Sequence, residues 1–112
     1  GHFVPNITIG VPVVKSLRRA TDLVLDTHLM IENPEKFVKP FADAGSDILT
    51  FHYEACSDIS HAEAVISLIK SFGVKAGVSI KPATAPEMIF PLLDKVDLVL
   101  VMTVEPGTGI YA

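Results

Sequence analysis

Residues 23–30 read LVLDTHLM, a run of aliphatic side chains that is interrupted by Asp26 and His28. Strands that are apolar along their whole length are typical of parallel sheets covered by helices. Because side chains alternate along a strand, Asp26, His28 and Met30 share one face. The other face is aliphatic and is predicted to pack beneath a helix; it consists of Leu23, Leu25 and Leu29. An acid and an imidazole on one face predict either a satisfied structural pair or a site at the strand's end.

Three more apolar runs follow, and the strands begin roughly every 22–27 residues, a spacing typical of repeated strand–helix units. The runs are DILTFHYEA at 47–55, VKAGVSIK at 74–81 and VDLVLVMTV at 96–104. A segment with helical character precedes each strand; these are VPVVKSLRRAT at 11–21, NPEKFVKPFADAG at 33–45, SHAEAVISLIKSFG at 60–73 and TAPEMIFPLLD at 84–94. The order α-β-α-β-α-β-α-β predicts an α/β fold with parallel strands.

Capping residues predict where three of the helices begin. Asn33 is predicted to cap the second helix. Ser60 with Glu63, and Thr84 with Glu87, each match a capping box, in which two side chains satisfy each other's backbone N–H groups. The third helix is therefore predicted to begin just after Ser60, and the fourth is predicted to be a short helix around Pro86 to Leu93.

Two architectures have this order of elements, the doubly wound sheet and the (β/α)₈ barrel. A barrel typically has ~250 residues in eight strand–helix units. This chain has 112 residues, so it holds about four such units. It has no initiator Met and no strand before its first helix, and we expect it to be cut at both ends.

Composition limits the classes of function. The formal charge is −4 and the pI about 5.4, so no basic face for nucleic acid is expected. The longest apolar run, residues 98–104, is far shorter than the ~20 residues of a membrane-spanning helix, and no signal peptide is recognisable. The single Cys56 excludes an internal disulfide and favours a reducing, cytoplasmic compartment. Its thiol is predicted to be a packing group rather than a nucleophile.

Polar side chains recur on the later strands. Thr50 and His52 share one face of the second strand, and Ser79 and Lys81 share one face of the third. Active sites of parallel α/β folds lie beyond the carboxyl ends of the strands, so convergent polar groups there indicate a ligand site. A plainer interpretation also exists, because a histidine in an apolar strand is commonly a hydrogen-bonded core residue. Glu54 is predicted to be an ordinary loop acid.

The glycine-rich tail is a second candidate site. Residues 105–112 read EPGTGIYA and directly follow the fourth strand. Glycines at that place expose backbone N–H groups that can hold a phosphate. A P-G-x-G sequence alone is also an ordinary turn, so phosphate binding is a hypothesis that depends on the parallel strand before it.

Four stretches together resemble the ribulose-phosphate 3-epimerase family. They are GHFVPNITIG at 1–10, DTHLMIENPEKFV at 26–38, GVKAGVSIKPATAPE at 73–87 and VDLVLVMTVEPGTG at 96–109. The resemblance covers essentially the whole chain and implies a (β/α)₈ TIM barrel. Residues 1–112 would form a single partial domain of about half a barrel, from the loop after its second strand to its sixth strand. The motifs KPAT and MTVEPG resemble those of the eukaryotic branch of the family.

The resemblance implies an isomerase of the pentose phosphate pathway that interconverts D-ribulose 5-phosphate and D-xylulose 5-phosphate. One carboxylate would remove the C3 proton, a divalent metal would stabilise the enediolate, and a second carboxylate would return a proton to the opposite face. The implied metal is zinc or iron, with manganese and cobalt as alternatives. The implied partners are the pentulose 5-phosphate substrate and further copies of the chain in a homo-oligomer, without nucleic acid or membrane.

The resemblance also assigns site residues. His28 matches a metal-binding histidine that contacts substrate, and Asp26 is expected to orient its imidazole without binding the metal. Met30 and Met102 match methionines near the reacting carbons. The segment expected to bind substrate near its phosphate end comprises Gly107, Thr108, Gly109 and Ile110.

The sequence departs from the family in two respects. The family's metal site also uses a His and an Asp from the second strand and an Asp from the seventh, and the two aspartates are its acid and base. None of these three matches a residue here, so we expect no catalytic residue within the chain and no activity from it alone. The tail departs after Gly109, where Ile110, Tyr111 and Ala112 stand.

Two other functions stay open. A non-catalytic half-barrel would act only by association, because four strands leave open sheet edges. Another phosphate-binding barrel enzyme, such as a hexulose-phosphate synthase or an aldolase-like relative, would need a Schiff-base lysine or a different set of acids. Lys81 is the only lysine at a strand's end.

Overall fold

The computed structural model describes residues 11–102, which form one four-stranded sheet and the helices that pack on it. The α-helices are α1 (Val11–Ala20), α2 (Val38–Ala44) and α3 (Ile59–Ser71), and the 3₁₀ helices are η1 (Pro34–Phe37), η2 (Tyr53–Ala55) and η3 (Pro86–Leu92). The strands are β1 (Asp26–Leu29), β2 (Ile48–His52), β3 (Lys75–Ile80) and β4 (Leu98–Val101). No helix within residues 11–102 is long and apolar enough to cross a membrane.

The sheet is parallel throughout, with strands in the order β1-β2-β3-β4. Successive strands are neighbours, and a helical segment connects each to the next. This is the connectivity of consecutive (β/α) units of a barrel, because a doubly wound sheet reverses its strand order at a switch point. The parallel α/β prediction is confirmed.

The core lies between one face of the sheet, which we call the outer face, and helices α2 and α3. Helix α3 contributes its apolar stripe of Ala62, Val65, Ile66 and Ile69, all buried. The outer face contributes side chains that are 3% exposed or less, namely Leu29, Leu49, Phe51, Ala76, Val78 and Ile80. The opposite face of the sheet, which we call the inner face, carries the polar strand residues.

The first strand is shorter than the sequence predicts. β1 begins at Asp26, and Leu23, expected beneath a helix, is 72% exposed. Side chains hold the backbone before β1 in place of a sheet ladder: Arg18 Nη2 donates to the carbonyl of Leu23 at 2.9 Å, and Leu25 N–H donates to Asp47 Oδ2 at 2.8 Å. Leu25 is half-buried against the core, while Leu29 packs as predicted.

The three predicted side-chain caps do not form, although η1 and η3 begin at Pro34 and Pro86, where these helices are predicted. Asn33 adopts a left-handed conformation with φ of 52° and makes no side-chain cap, and η1 follows it. Asp58, not Ser60, caps α3, because its Oδ1 accepts from the backbone N–H of His61 at 2.8 Å. Thr84 caps nothing, since its hydroxyl donates to Glu54.

The fourth helical segment forms a 3₁₀ helix rather than an α-helix. It begins at Pro86 and contains Pro91 in its interior. Proline has no N–H to donate and clashes with the preceding turn of an α-helix. The short η3 is the result.

Candidate functional site

Strand register places the polar residues of the inner face in rows across the sheet. In the first row His28 is in register with Thr50, Thr50 with Gly77 and Gly77 with Leu98. In the next row, nearer the carboxyl ends, His52 is in register with Ser79. Register partners in a parallel sheet point to the same side, so the predicted sharing of one face by these polar groups is confirmed.

Asp26 and His28 form an ion pair at the start of this face. His28 Nε2 lies 3.1 Å from Asp26 Oδ2, and about a third of each side chain is exposed, 34% for the histidine and 31% for the aspartate. The second carboxylate oxygen, Oδ1, accepts a hydrogen bond from the Thr50 hydroxyl at 3.1 Å. Because a carboxylate only accepts, His28 donates through Nε2, and the neutral form of the ring with this tautomer carries its lone pair on Nδ1.

This arrangement fits a metal ligand. Histidines that bind metals usually donate their other ring N–H to a carboxylate, which fixes the tautomer and the orientation of the ring. About a third of the His28 side chain is exposed, and Asp26 is engaged by its neighbours on both oxygens. Within residues 11–102 no group of three or more His, Cys, Asp or Glu side chains could hold a metal. The described residues therefore contain no complete metal site, and metal binding by His28 stays a prediction.

Glu54 is not the ordinary loop acid that the sequence predicts. Its Oε2 accepts from Lys81 N–H at 2.9 Å and from the Thr84 hydroxyl, and its Oε1 lies 3.8 Å from His52 Nδ1. Burial raises the pKa of this carboxyl, but these polar neighbours outweigh the burial and hold the pKa at about 2. The ionised Glu54 thus joins the end of β2 to the segment after β3. The sequence offers little signal for this contact, because its partners lie 27 and 30 residues further along the chain.

The two methionines lie differently from the aliphatic core. Met102 is 6% exposed and Met30 is half-buried, yet neither belongs to the contiguous cluster between the sheet and its helices. Met102 N–H donates to the carbonyl of Ile80, which places it at the carboxyl end of β4. The predicted substrate segment Gly107–Ile110 lies outside the described residues, and its role stays a prediction.

Cys56 and His61 do not form a nucleophilic pair. Burial first, and then the charges of Glu35, Asp58 and Glu54, raise the pKa of the Cys56 thiol to about 12, so it stays protonated. His61 is engaged at both ring nitrogens: Nδ1 accepts from Ser57 N–H at 2.9 Å, and Nε2 contacts both oxygens of Glu35 at 3.2 Å. This histidine joins η1 to α3 and is structural.

Lys81 lines a groove of about 320 Å³ that lies between the end of β3, η3 and the outer face of β4. The lining is mainly apolar, and includes Ile89, Phe90, Leu93, Val99 and Val101. A Schiff-base lysine needs polar groups that handle protons beside it. No Asp, Glu or His lines this groove within the described part of the chain, and the aldolase-like alternative stays open.

Sequence comparisons are consistent with the parallel α/β geometry. Residues 1–110 match the profile described as the ribulose-phosphate 3 epimerase family. The chain is 54% identical over 109 residues to the ribulose-phosphate 3-epimerase of Bacillus subtilis, which covers 97% of the chain and 49% of the relative. It is 51% identical over 112 residues to a cytoplasmic isoform from rice, covering 97% and 48%. A chloroplastic relative from Arabidopsis thaliana is 53% identical over 109 residues, 97% of the chain and 38% of the relative.

The chain thus spans about half the length of these curated relatives. Bacterial and plant relatives match it to similar extents, so the resemblance to the eukaryotic branch stays a prediction.

Proposed function

The chain belongs to the ribulose-phosphate 3-epimerase family, and from that premise we propose that it supplies four consecutive strands of an epimerase barrel. The substrate would be a pentulose 5-phosphate, and the reaction would invert the configuration at C3, as a step of the pentose phosphate pathway. The observation that carries this proposal is the Asp26–His28 pair on the inner face of a parallel sheet, in a chain matched by the family over residues 1–110.

His28 would bind the divalent metal through Nδ1, with zinc or iron as the expected ion and manganese or cobalt as alternatives. The metal would supply Lewis-acid stabilisation of the negative charge that develops on the substrate oxygens. Asp26 holds the imidazole by accepting from Nε2–H. Such a bond also raises the basicity of the ring nitrogen that would bind the metal. Met30 and Met102 would line the site with polarizable, water-excluding side chains.

Among the described residues, Asp26 is the one carboxylate that pairs with His28, and both of its oxygens accept hydrogen bonds. Epimerisation through C3 needs a base on one side of the carbon and an acid on the other, each within hydrogen-bond reach of its proton. We therefore propose that the acid and the base come from outside residues 11–102, and that the 112-residue polypeptide alone has no epimerase activity.

A chimera tests this function. Residues 1–110 replace the matching segment of the Bacillus subtilis relative, and the conversion of D-ribulose 5-phosphate to D-xylulose 5-phosphate is measured with Zn²⁺ or Fe²⁺. We expect turnover in the chimera. We expect His28→Asn to reduce turnover by roughly 100-fold or more, since loss of a residue that only supports a ligand already costs about 10–100-fold.

His61→Asn is the matched control, because it removes an imidazole that lies against Glu35 rather than on the inner face. It should retain turnover within a few-fold of the chimera. An inactive chimera that folds, or a fully active His28→Asn variant, would contradict the proposed function.

We also propose a cytoplasmic location and a homo-oligomer. The location is supported by the single cysteine and by the name of the rice relative, although the Arabidopsis relative is named chloroplastic. Self-association is supported by large apolar side chains that remain exposed around β4, such as Phe90 at 56% and Val101 at 62%. A non-catalytic half-barrel that acts by association is the second candidate, and it rests on the same exposed surface.

A further inference from the structure

Thr50 is a buried hydroxyl in a sheet of apolar residues. It lies in the middle of β2 on the inner face and is 1% exposed. A hydroxyl that is buried without a partner costs stability, and valine would fill the same volume. The Thr50 hydroxyl donates one hydrogen bond within the described residues, to Asp26 Oδ1 at 3.1 Å. The bond connects neighbouring strands across 24 residues of sequence.

Gly77 on β3 provides the space that this hydroxyl occupies. A Cβ at position 77 would lie 2.4 Å from Thr50 Oγ1 and 3.2 Å from Thr50 Cβ. Such a distance is too short for any real contact, so the threonine would have to rotate. Rotation about χ1 would carry the hydroxyl away from Asp26 and break the bond. The absence of a side chain at Gly77 therefore permits the rotamer in which the Thr50 hydroxyl reaches the carboxylate.

The carboxylate of Asp26 is in turn held from two sides. Oδ1 accepts from Thr50 and Oδ2 accepts from His28 Nε2–H at 3.1 Å. A carboxylate with one oxygen anchored cannot rotate freely about its terminal bond, so the other oxygen presents a fixed lone pair to the ring. His28 itself is about one-third exposed, and its contact with Asp26 is a side-chain hydrogen bond that can hold the ring. Its orientation depends on this bond.

We propose that Thr50, packed against Gly77, is a positioning residue that fixes the His28 imidazole through Asp26 with Nδ1 directed to a cation. The metal part of this inference rests on the proposed function, whereas the hydrogen-bond relay rests on the structure alone. Thr50 and Gly77 touch neither substrate nor metal in this account. They act through Asp26.

The test compares Thr50→Val with Thr50→Ser in the metal-free 112-residue chain. Valine keeps the shape of the side chain and removes the hydroxyl, while serine keeps the hydroxyl. The readout is the rate at which the His28 Nε2–H proton exchanges with water, measured by ¹H–¹⁵N NMR. We expect exchange to be about tenfold faster in Thr50→Val and within twofold of wild type in Thr50→Ser, so that the hydroxyl alone restores the protection.

Gly77→Ala is the second variant and needs no change at Thr50. We expect it to accelerate Nε2–H exchange at His28 as Thr50→Val does. Zn²⁺ affinity at His28 is measured in the chimera, which supplies the other ligands, and is followed by the shifts of the ring resonances; it should fall about tenfold in both variants, the lower end of the range for residues that support a ligand. His61, which is held by Glu35 and Ser57, is the internal reference for folding and should not change.

Two outcomes overturn different claims. If Zn²⁺ shifts the His28 resonances but Thr50→Val and Gly77→Ala leave exchange and affinity unchanged, the inference fails and the proposed function stands. If Zn²⁺ does not bind at His28 in the chimera, where the other ligands of the barrel are present, the proposed function fails and the metal-positioning role fails with it.

Discussion

At the scale of the residue, two carboxylates, Asp26 and Glu54, accept hydrogen bonds from residues that lie far away in sequence. Asp26 is held by Thr50 across 24 residues, and Glu54 by Lys81 and Thr84 across 27 and 30. The sequence predicts that Asp26 and His28 share a face, because alternation along a strand is local. It does not predict the bond from Thr50 or the burial of Glu54, because these depend on the register between strands.

The pKa of Glu54 makes stability depend on pH. This carboxyl has a folded pKa of about 2 against an ordinary value of 4.5. A depressed pKa means that its contribution to stability is present above about pH 4.5 and is lost as the pH falls towards 2. With 16% of its side chain exposed, we expect Glu54→Gln to cost about 2 kcal/mol of unfolding free energy at pH 7.

Urea unfolding of Glu54→Gln and wild type between pH 7 and pH 2 measures this effect. The two free energies should converge as the pH falls through the window from 4.5 to 2. Glu87→Gln, at an exposed acid of η3, should stay within about 0.5 kcal/mol of wild type, as surface substitutions usually do. A constant gap between Glu54→Gln and wild type at every pH would contradict the assignment.

At the scale of the element, the segment between α1 and β2 is organised by one arginine. Arg18 Nη1 donates to Gly45 O at 3.1 Å and to Asp47 Oδ2 at 2.8 Å, while Nη2 donates to the carbonyls of Thr21 and Leu23. Asp47 in turn accepts from Leu25 N–H, which is the largest cause of the lowered pKa of its carboxyl, with Arg18 next. These contacts hold the backbone of the apolar segment just before β1. They lie at the amino ends of the strands, the end of a barrel that serves stability rather than catalysis.

Arg18→Met should therefore destabilise the chain, while Arg19→Met should not. Loss of charged hydrogen bonds costs about 1.5–3 kcal/mol when the partners are buried, and partial exposure here reduces the expected cost to about 1–2 kcal/mol. Arg19 is the matched control because it is also in the last turn of α1, is exposed, and makes none of these contacts. The midpoint temperatures of thermal unfolding of both variants measure the effect. Equal midpoints for Arg18→Met and Arg19→Met would contradict the role of Arg18.

The order and type of the elements were predictable, whereas several of their boundaries were not. Apolar runs and their spacing predict four parallel strands, because burial on both faces leaves a local pattern. The side-chain caps predicted at Asn33, Ser60 and Thr84 do not form. At Ser60 and Thr84 another polar residue takes the hydrogen bond. Asp58 takes the cap of α3, and Glu54 takes the hydroxyl of Thr84. Such competition is decided by tertiary packing and not by a capping box alone.

At the scale of the whole molecule, the sheet ends at two strands that each pair on one side only within the described residues. β1 pairs with β2, and β4 pairs with β3. The outer face of β4 is uncovered, with Val99 at 39% and Val101 at 62% exposed. An exposed edge with apolar side chains is a site for association.

We expect the isolated chain to self-associate at micromolar concentrations and Val101→Lys to weaken that association by about tenfold or more. A lysine on an edge strand opposes pairing with another chain. Sedimentation velocity across a range of concentrations measures the effect. Val13→Lys replaces a 41% exposed valine on α1 and should leave association unchanged. Equal sedimentation of wild type and Val101→Lys would show that association, if any, uses another surface.

The most direct measurement of the central claim is anomalous diffraction at the zinc edge from crystals of the chimera grown with Zn²⁺. The account predicts a zinc peak within bonding distance of His28 Nδ1, with Nε2 still directed at Asp26 and the Thr50 hydroxyl on the other oxygen of that carboxylate. A zinc peak elsewhere in the barrel, or a His28 ring turned away from it, would contradict the account.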